Sequence, residues 1–225
     1  MTGVLRPLSR PSSFEGVRPD QYSRRASVFS KRRQIARREV GAEQLAASLE
    51  KNAIFIKIPG VPTEEISISV FGQVFPQCPT VKNWHDLIGE RHFCYIPSFA
   101  FTINPVVRFK VLLNQVNQRR GVTVTASDVF EEIKRQPFGT WAGKFKPQVD
   151  FLRDGHNNLG LDLIGRCEER DYHLIILAET IGRMSPIRRV DMPVLAESLK
   201  DLSREDLRNV ESHYQEDFVS LGYSL

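Results

Sequence analysis

The amino-acid sequence predicts an α/β fold with a central, mainly parallel sheet flanked by helices. Two segments carry this prediction. Ala53–Ile58 is almost entirely apolar and ends at Pro59-Gly60, which is typical of a strand buried on both faces. Ser98–Ile103 repeats the pattern before Asn104-Pro105, and a helical pattern follows each of the two strands. Strands that alternate with helices favour a parallel sheet.

The charge of the chain is uneven along its length. Residues 1–40 contain nine arginines and one lysine against three carboxylates, a charge of +7, so residues 41–225 carry −3 of the total of +4. Residues 1–38 have few apolar side chains, and we expect a disordered basic arm before a single α/β domain at residues 39–225. The arm is a candidate contact for an acidic partner, whereas the acidic balance of the domain argues against a nucleic-acid-binding role.

The first strand is predicted to lie between two helices. A short helix is expected over residues 37–51, and its apolar positions are Val40, Leu45, Ala46 and Leu49. After the strand, Thr63 is a candidate N-cap of a helix that begins with Glu64 and Glu65 and stops at Gly72. A strand, tight loop and helix N-terminus usually form an anion-binding corner, because free backbone N–H groups converge there. The two glutamates would repel a phosphate. The geometry of this corner therefore favours anion binding, whereas its charge opposes it.

The rest of the chain continues the alternation. Residues 74–87 contain several prolines and are expected to be irregular. Helices are predicted from about Val106 to Gly121, from Thr125 to Pro137, from Glu168 to Gly182 and from Ser203 to Phe218, with a short strand at Leu161–Ile164. Their buried faces are expected to include Val107, Val111, Leu112, Val116, Val129, Phe130, Ile133, Leu174, Ile175, Leu177, Ile181, Leu207, Val210, Tyr214 and Phe218.

The cysteines and the hydropathy pattern bear on compartment and on metal binding. Cys78, Cys94 and Cys167 are odd in number and widely spaced, which favours a reducing compartment and gives no metal-binding motif. No apolar run is long enough for a membrane helix, and the N-terminus lacks a secretory signal pattern. A cytoplasmic protein is the expectation. An organellar transit segment is the alternative, because the first residues are rich in Arg and Ser.

Three segments resemble a known family, the carbohydrate-type sulfotransferases of family 2, which use 3′-phosphoadenosine-5′-phosphosulfate (PAPS). Lys144–Leu152 is similar to that family's His-Trp-Arg-Pro-Gln-x-x-Phe-Leu segment. Leu163–Glu168, followed by Asp171, resembles its Ile-Gly-Arg-Phe-Glu…Asp segment, and Tyr214–Tyr223 resembles its closing Tyr-x-x-Asp-Phe…Gly-Tyr. The resemblance covers about three quarters of the chain. It implies a P-loop-like α/β fold, PAPS as donor, adenosine 3′,5′-bisphosphate as product, and a hydroxyl of a carbohydrate or small metabolite as acceptor.

The resemblance also assigns positions to the donor. The loop that would hold the 5′-phosphosulfate corresponds to Pro59, Gly60, Val61, Pro62, Thr63 and Glu64. The segment that would hold the 3′-phosphate is Ile103–Val111, and it retains Asn104 and Arg108. Gly60 stands where the family has a lysine, Ile103 where it has an arginine and Val111 where it has a serine. Each hydrogen bond lost to a charged group costs about 1.5–3 kcal/mol, so donor affinity should be much reduced.

Other side chains are candidates for the missing catalytic groups. Lys57, close to the first loop, could supply the cation, and His85 could act as general base for an acceptor hydroxyl. A structural ion pair of Lys57 or Arg108 with Glu64 or Glu65 is the competing interpretation. The sequence therefore supports two functions: sulfuryl transfer from PAPS, or a catalytically degenerate protein of the same fold that binds a ligand or a protein partner. A nucleotide kinase is disfavoured because the chain has no GxxxxGK[ST] motif.

Overall fold

The structure is a computed structural model, and it describes residues 19–121, 123–136, 141–182, 197, 200 and 202–224. At its centre three parallel strands, β1 (Ile54–Ile56), β2 (Ser98–Thr102) and β3 (Leu163–Arg166), lie in the order β1-β2-β3. Every residue of β1 and β2 is buried, as their apolar sequences predict. The prediction of an α/β fold with a parallel sheet between helices is confirmed.

Helices precede the sheet and connect its first two strands. They are α1 (Pro19–Val40), α2 (Ala42–Lys51), α3 (Glu64–Phe71), α4 (Val81–Ile88) and α5 (Glu90–Phe93). The prediction for α3 is confirmed, and Gly72 ends it in a left-handed conformation at φ 76°. In α2 the predicted apolar face is wrong at Ala46, which is exposed, and at Leu49, which is 56% exposed, while Gln44 and Ser48 are buried.

The expectation of a disordered arm is wrong for residues 19–38, which belong to helix α1. Ala36 and Val40 are buried in the main core, and α1 packs against α4. The sequence suggested disorder because the segment is rich in Arg, Ser and Pro and has few apolar side chains. Two small apolar side chains on one face nevertheless dock it, and Arg32, Arg33, Arg37 and Arg38 are exposed. The first 18 residues of the predicted arm lie outside the described residues.

Residues 74–87 are also more regular than the prolines indicated. Thr80 caps α4 by accepting a hydrogen bond from the amide of Asn83, whose side chain accepts one from the amide of Thr80 in return. This reciprocal capping starts a helix directly after the proline-containing segment. Trp84 and Leu87 lie on the buried face of α4.

The second half of the described chain contains the remaining helices. They are α6 (Pro105–Arg120), α7 (Ala126–Arg135), a 3₁₀ turn (Ala142–Phe145), α8 (Val149–Leu152), α9 (Arg170–Ile181), α10 (Arg204–His213) and α11 (Gln215–Leu221). The predicted final helix is thus divided at Tyr214. Ile175 was expected inside but is 61% exposed. The end of α7 predicted at Pro137 lies outside the described residues, and its helix closes with Gln136 as the C-cap.

Two hydrophobic clusters hold these elements. One surrounds the sheet, and the other lies between α6, α7 and α10 and contains stacked Phe109 and Phe130 rings with centroids 5.2 Å apart. In the described part of the chain, no helix is long and apolar enough to cross a membrane.

Candidate functional site

The corner after β1 is occupied by a carboxylate of the protein itself. One oxygen of Glu64 lies 3.3 Å from Lys57 Nζ, and the other accepts a hydrogen bond of 3.1 Å from the amide of Thr63. Lys57 also donates to the carbonyl oxygen of Phe75 at 3.1 Å. Thr63 precedes α3 as expected, but its side chain makes no capping hydrogen bond. Glu64 therefore stands where an external anion would bind, and the ion-pair interpretation of Lys57 is confirmed.

The loop leaves few donors for a ligand. Pro59 and Pro62 have no N–H group, and the amide of Val61 donates to the carbonyl of Ile58 at 3.2 Å. Gly60 has φ 79°, and a Cβ atom at this position would lie 2.6 Å from Cγ of Leu112. The loop is packed against α6, so position 60 has no room for a longer side chain.

Arg108 is an internal clamp that joins three backbone segments. It is fully buried and donates three hydrogen bonds of 2.8 Å, from Nε to the Pro59 carbonyl and from the two Nη atoms to the Lys146 and Lys144 carbonyls. The guanidinium also lies 5.7 Å from the centroid of the Tyr214 ring. Burial lowers the pKa of Arg108. The alternative pairing of Arg108 with Glu64 or Glu65 is not seen, because backbone carbonyls take its donors, and its assignment as a 3′-phosphate contact stays a prediction.

The corner after β2 is closed in the same way. The amide of Asn104 donates to a Glu168 carboxylate oxygen at 2.6 Å, and the Asn104 side chain caps α6 and donates to the Ser224 carbonyl at 2.9 Å. The Tyr223 hydroxyl lies 2.9 Å from Thr102 Oγ1 and 3.3 Å from Glu168. Glu168 and the C-terminal segment thus cover the end of β2. Glu168 belongs to one of the segments that carry the resemblance, but the sequence analysis did not predict that it would accept this hydrogen bond.

The three segments that carry the resemblance meet here. The Asp217 carboxylate accepts hydrogen bonds from the amides of Gln148 and Val149 at 2.8 and 2.9 Å, at the start of α8. Arg166 donates to the carbonyls of Leu221 and Gly222 at 2.7 and 2.9 Å. These side chains hold the C-terminal helices against the sheet.

A cavity of about 760 Å³ opens beside the first corner. A volume of this size is typical of small-molecule sites. Pro59 of the loop and Ile35 and Glu39 of α1 contribute to its wall. The other lining residues are Pro76, Cys78, Thr80, Lys82, Asn83, Gly143, Lys144, Lys146, Asp150, Phe151, Arg153, Asp154 and Asn157.

The charges in this cavity are mixed, and two of its basic side chains form ion pairs. Lys82 lies 2.7 Å from Asp86, and Arg153 lies 2.7 Å from Glu216. Lys144, in contrast, has no ion pair with another described residue. Burial raises the pKa of Asp150, because it disfavours the charged form of the carboxyl group. The cavity therefore offers an available ammonium group, hydroxyl and amide groups, and a carboxyl group.

His85 lies away from this cavity. Its ring packs edge-on against Phe93 with centroids 4.5 Å apart, and burial lowers its pKa. Neither His85 nor Lys57 lines the cavity, and no contact joins the two predicted catalytic residues. The sequence did not single out Cys78, Thr80 or Asn83 as cavity residues, because the proline-rich surroundings concealed the helix that positions them. Among the described residues, no group of three or more His, Cys, Asp or Glu side chains could hold a metal ion.

Comparison of the chain with protein-family models, with curated proteins and with solved structures finds no match.

Proposed function

We propose that this chain is a ligand-binding module that keeps the framework of a PAPS-dependent sulfotransferase without transferring sulfuryl groups. One observation carries the proposal. At both corners where the resemblance expects a donor phosphate, an amide of the chain already donates to an internal carboxylate, that of Glu64 or of Glu168. A doubly phosphorylated donor would have to displace two negative charges that the protein supplies itself. Sulfuryl transfer from PAPS is the weaker alternative.

The proposal predicts no useful affinity for the nucleotide product. We expect calorimetric titration with adenosine 3′,5′-bisphosphate to give no binding below a Kd of about 1 mM, which corresponds to only about −4 kcal/mol. Repulsion by the internal carboxylates and the shortage of loop amides are the physical reasons.

The double variant Glu64→Gln with Glu168→Gln provides the matched comparison, because it removes both charges and keeps the side-chain shapes. A gain in affinity in this variant alone would support self-occupation of the corners. Micromolar binding by the unmodified chain would overturn the proposal and favour the enzyme.

The ligand of the proposed module is a polar organic anion of small-metabolite size. The cavity beside Pro59 supplies the volume, Lys144 supplies a positive charge, and Thr80, Asn83 and Asn157 supply groups that hydrogen-bond hydroxyls. A sulfated, phosphorylated or carboxylated monosaccharide has this combination of groups. Binding of such a ligand needs the cleft but not the donor. This explains why the cleft is retained while the donor corners are altered.

Cysteine labelling reports occupation of the cavity. Cys94 is exposed, Cys78 lines the cavity and is partly buried, and Cys167 is buried with its pKa raised to about 12. Burial also raises the pKa of Cys78. The thiolate is the reactive form, so we expect iodoacetamide to label Cys94 first, Cys78 more slowly and Cys167 only after unfolding.

A panel of sulfated, phosphorylated and carboxylated monosaccharides should contain at least one compound that slows labelling of Cys78 and leaves Cys94 unchanged, as read by peptide mass spectrometry. Lys144→Met should abolish that protection, and Lys51→Met, outside the cavity, should not. Absence of protection by every compound in the panel would refute this placement of the ligand.

A further inference from the structure

One exposed face of α1 combines apolar and basic side chains. Val28 is 50% exposed and Ile35 is 58% exposed. Lys31 and Arg38 are exposed on either side of Ile35, at spacings of four and three residues. Residues at these spacings share one helix face. The four side chains form a stripe opposite buried Ala36 and Val40, and we call it the basic face.

Helix α9 carries an exposed face of opposite charge. Tyr172 is 63% exposed and Ile175 is 61% exposed, and Asp171 and Glu179 are exposed beside them. Tyr172, Ile175 and Glu179 follow one another at spacings of three and four residues, so they too share a face. Tyr172, Ile175, Asp171 and Glu179 are called the acidic face.

The charges of both faces lack partners within the described chain. Lys31, Arg38, Asp171 and Glu179 form no ion pair with another described residue. Exposed apolar side chains surrounded by unpaired charges are characteristic of interaction surfaces. Each of the two helices therefore presents a surface ready for a partner.

The two faces match each other when the helices are antiparallel. Read along α1, the spacing from Lys31 to Ile35 to Arg38 is four and then three. Read backwards along α9, the spacing from Glu179 to Ile175 to Tyr172 is also four and then three. This register places Lys31 opposite Glu179 and Ile35 opposite Ile175.

At the third position of this register, Arg38 lies opposite Tyr172 and Asp171. An arginine there can form an ion pair with the carboxylate and a cation–π contact with the ring. Alternation of four and three residues is the spacing that keeps two packed helices in contact over several turns. The match therefore includes both the apolar side chains and the charges.

We propose that the basic face of one protomer docks on the acidic face of a second copy of this chain. The basic face of α1 and the acidic face of α9 are complementary within a single sequence, so self-association requires no other component. A nucleic acid fits less well, because it offers no aliphatic surface to Val28 and Ile35 and would be repelled by Glu39 on the same helix. Since Ile35 and Glu39 also line the cavity, the α9 helix of the second copy would lie beside the cavity mouth.

Sedimentation equilibrium of the full chain tests this proposal. The weight-average mass should rise above the 25.7 kDa of one chain as the concentration increases, and it should fall again in about 0.5 M salt, where exposed ion pairs are screened. The variant Lys31→Glu with Arg38→Glu should lower the association constant about tenfold or more, because two attractive contacts become repulsive. The variant Asp171→Lys with Glu179→Lys should do the same.

Mixing the two variants gives the sharpest outcome. Each variant alone has two faces of like charge, whereas in an equimolar mixture the α1 face of each variant meets an α9 face of opposite charge on the other variant, so the mixture should recover the mass of the unmodified chain. Arg33→Glu with Arg37→Glu makes the same change of charge on another side of α1 and should leave association unchanged, with circular dichroism confirming the fold of every variant. A single-chain mass at all concentrations, or variants that fail to recover on mixing, would overturn the proposal.

Discussion

Arg108→Ala is expected to lose about 4 kcal/mol of the free energy of unfolding, the largest effect of any substitution proposed for this chain. Arg108 is fully buried and its three hydrogen bonds join the first loop to Lys144 and Lys146. Alanine would leave three buried carbonyl oxygens without donors and would open a cavity. An unsatisfied buried group costs about 1–3 kcal/mol, and breaking a buried charged hub costs about 3–5 kcal/mol.

Guanidinium denaturation monitored by tryptophan fluorescence measures this loss. Arg119→Ala is the matched control, because Arg119 is exposed on the same helix and its removal should change the stability by less than about 0.5 kcal/mol. Arg108→Lys keeps the charge but not the geometry of three donors, so its stability should lie between those of Arg108→Ala and Arg119→Ala. A loss below about 1 kcal/mol in Arg108→Ala would mean that the clamp does not stabilise the fold.

Gly60→Ala is expected to destabilise the chain by about 2–5 kcal/mol. Two costs add at this position. A non-glycine residue in the left-handed region costs about 1–2 kcal/mol, and overpacking a core costs about 1–3 kcal/mol. The added Cβ would lie 2.6 Å from Cγ of Leu112, a buried side chain of α6.

Gly72→Ala separates the two costs. Gly72 has φ 76°, nearly the same as Gly60, but nothing lies within 4 Å of the added Cβ. The loss of stability in Gly72→Ala should therefore come from the backbone conformation alone, about 1–2 kcal/mol. In Gly60→Ala with Leu112→Ala the contact is relieved, so the combined loss should be smaller than the sum of the single losses. Equal losses in Gly60→Ala and Gly72→Ala would show that Leu112 moves aside at no cost.

These two positions connect stability with the proposed function. The resemblance would need a lysine at position 60 and a phosphate-binding arginine at position 108. In the structure, Gly60 has no space for a longer side chain and Arg108 binds backbone carbonyls. The residues that a donor would use therefore stabilise the scaffold instead.

The sequence alone predicted the parallel strands β1 and β2 and the helices that follow them. Their signals are local: an apolar run that ends at a proline, and a glycine such as Gly72 that stops the helix that follows. The same reasoning missed α4, whose capping box begins at Thr80 directly after a proline-rich segment. It also missed the docking of α1, because Ala36 and Val40 alone are buried among the side chains of this basic helix that the structure describes.

The sequence likewise located the two corners that could bind anions, since a strand followed by a helix N-terminus is recognisable from spacing. Only the tertiary structure decided what occupies them. Glu64 is adjacent to Thr63 in sequence, and its repulsive effect could be anticipated, but Glu168 is separated from Asn104 by 64 residues. Backbone conformation follows from neighbouring residues, whereas the partner of a buried amide depends on which distant side chain the fold brings within hydrogen-bond distance.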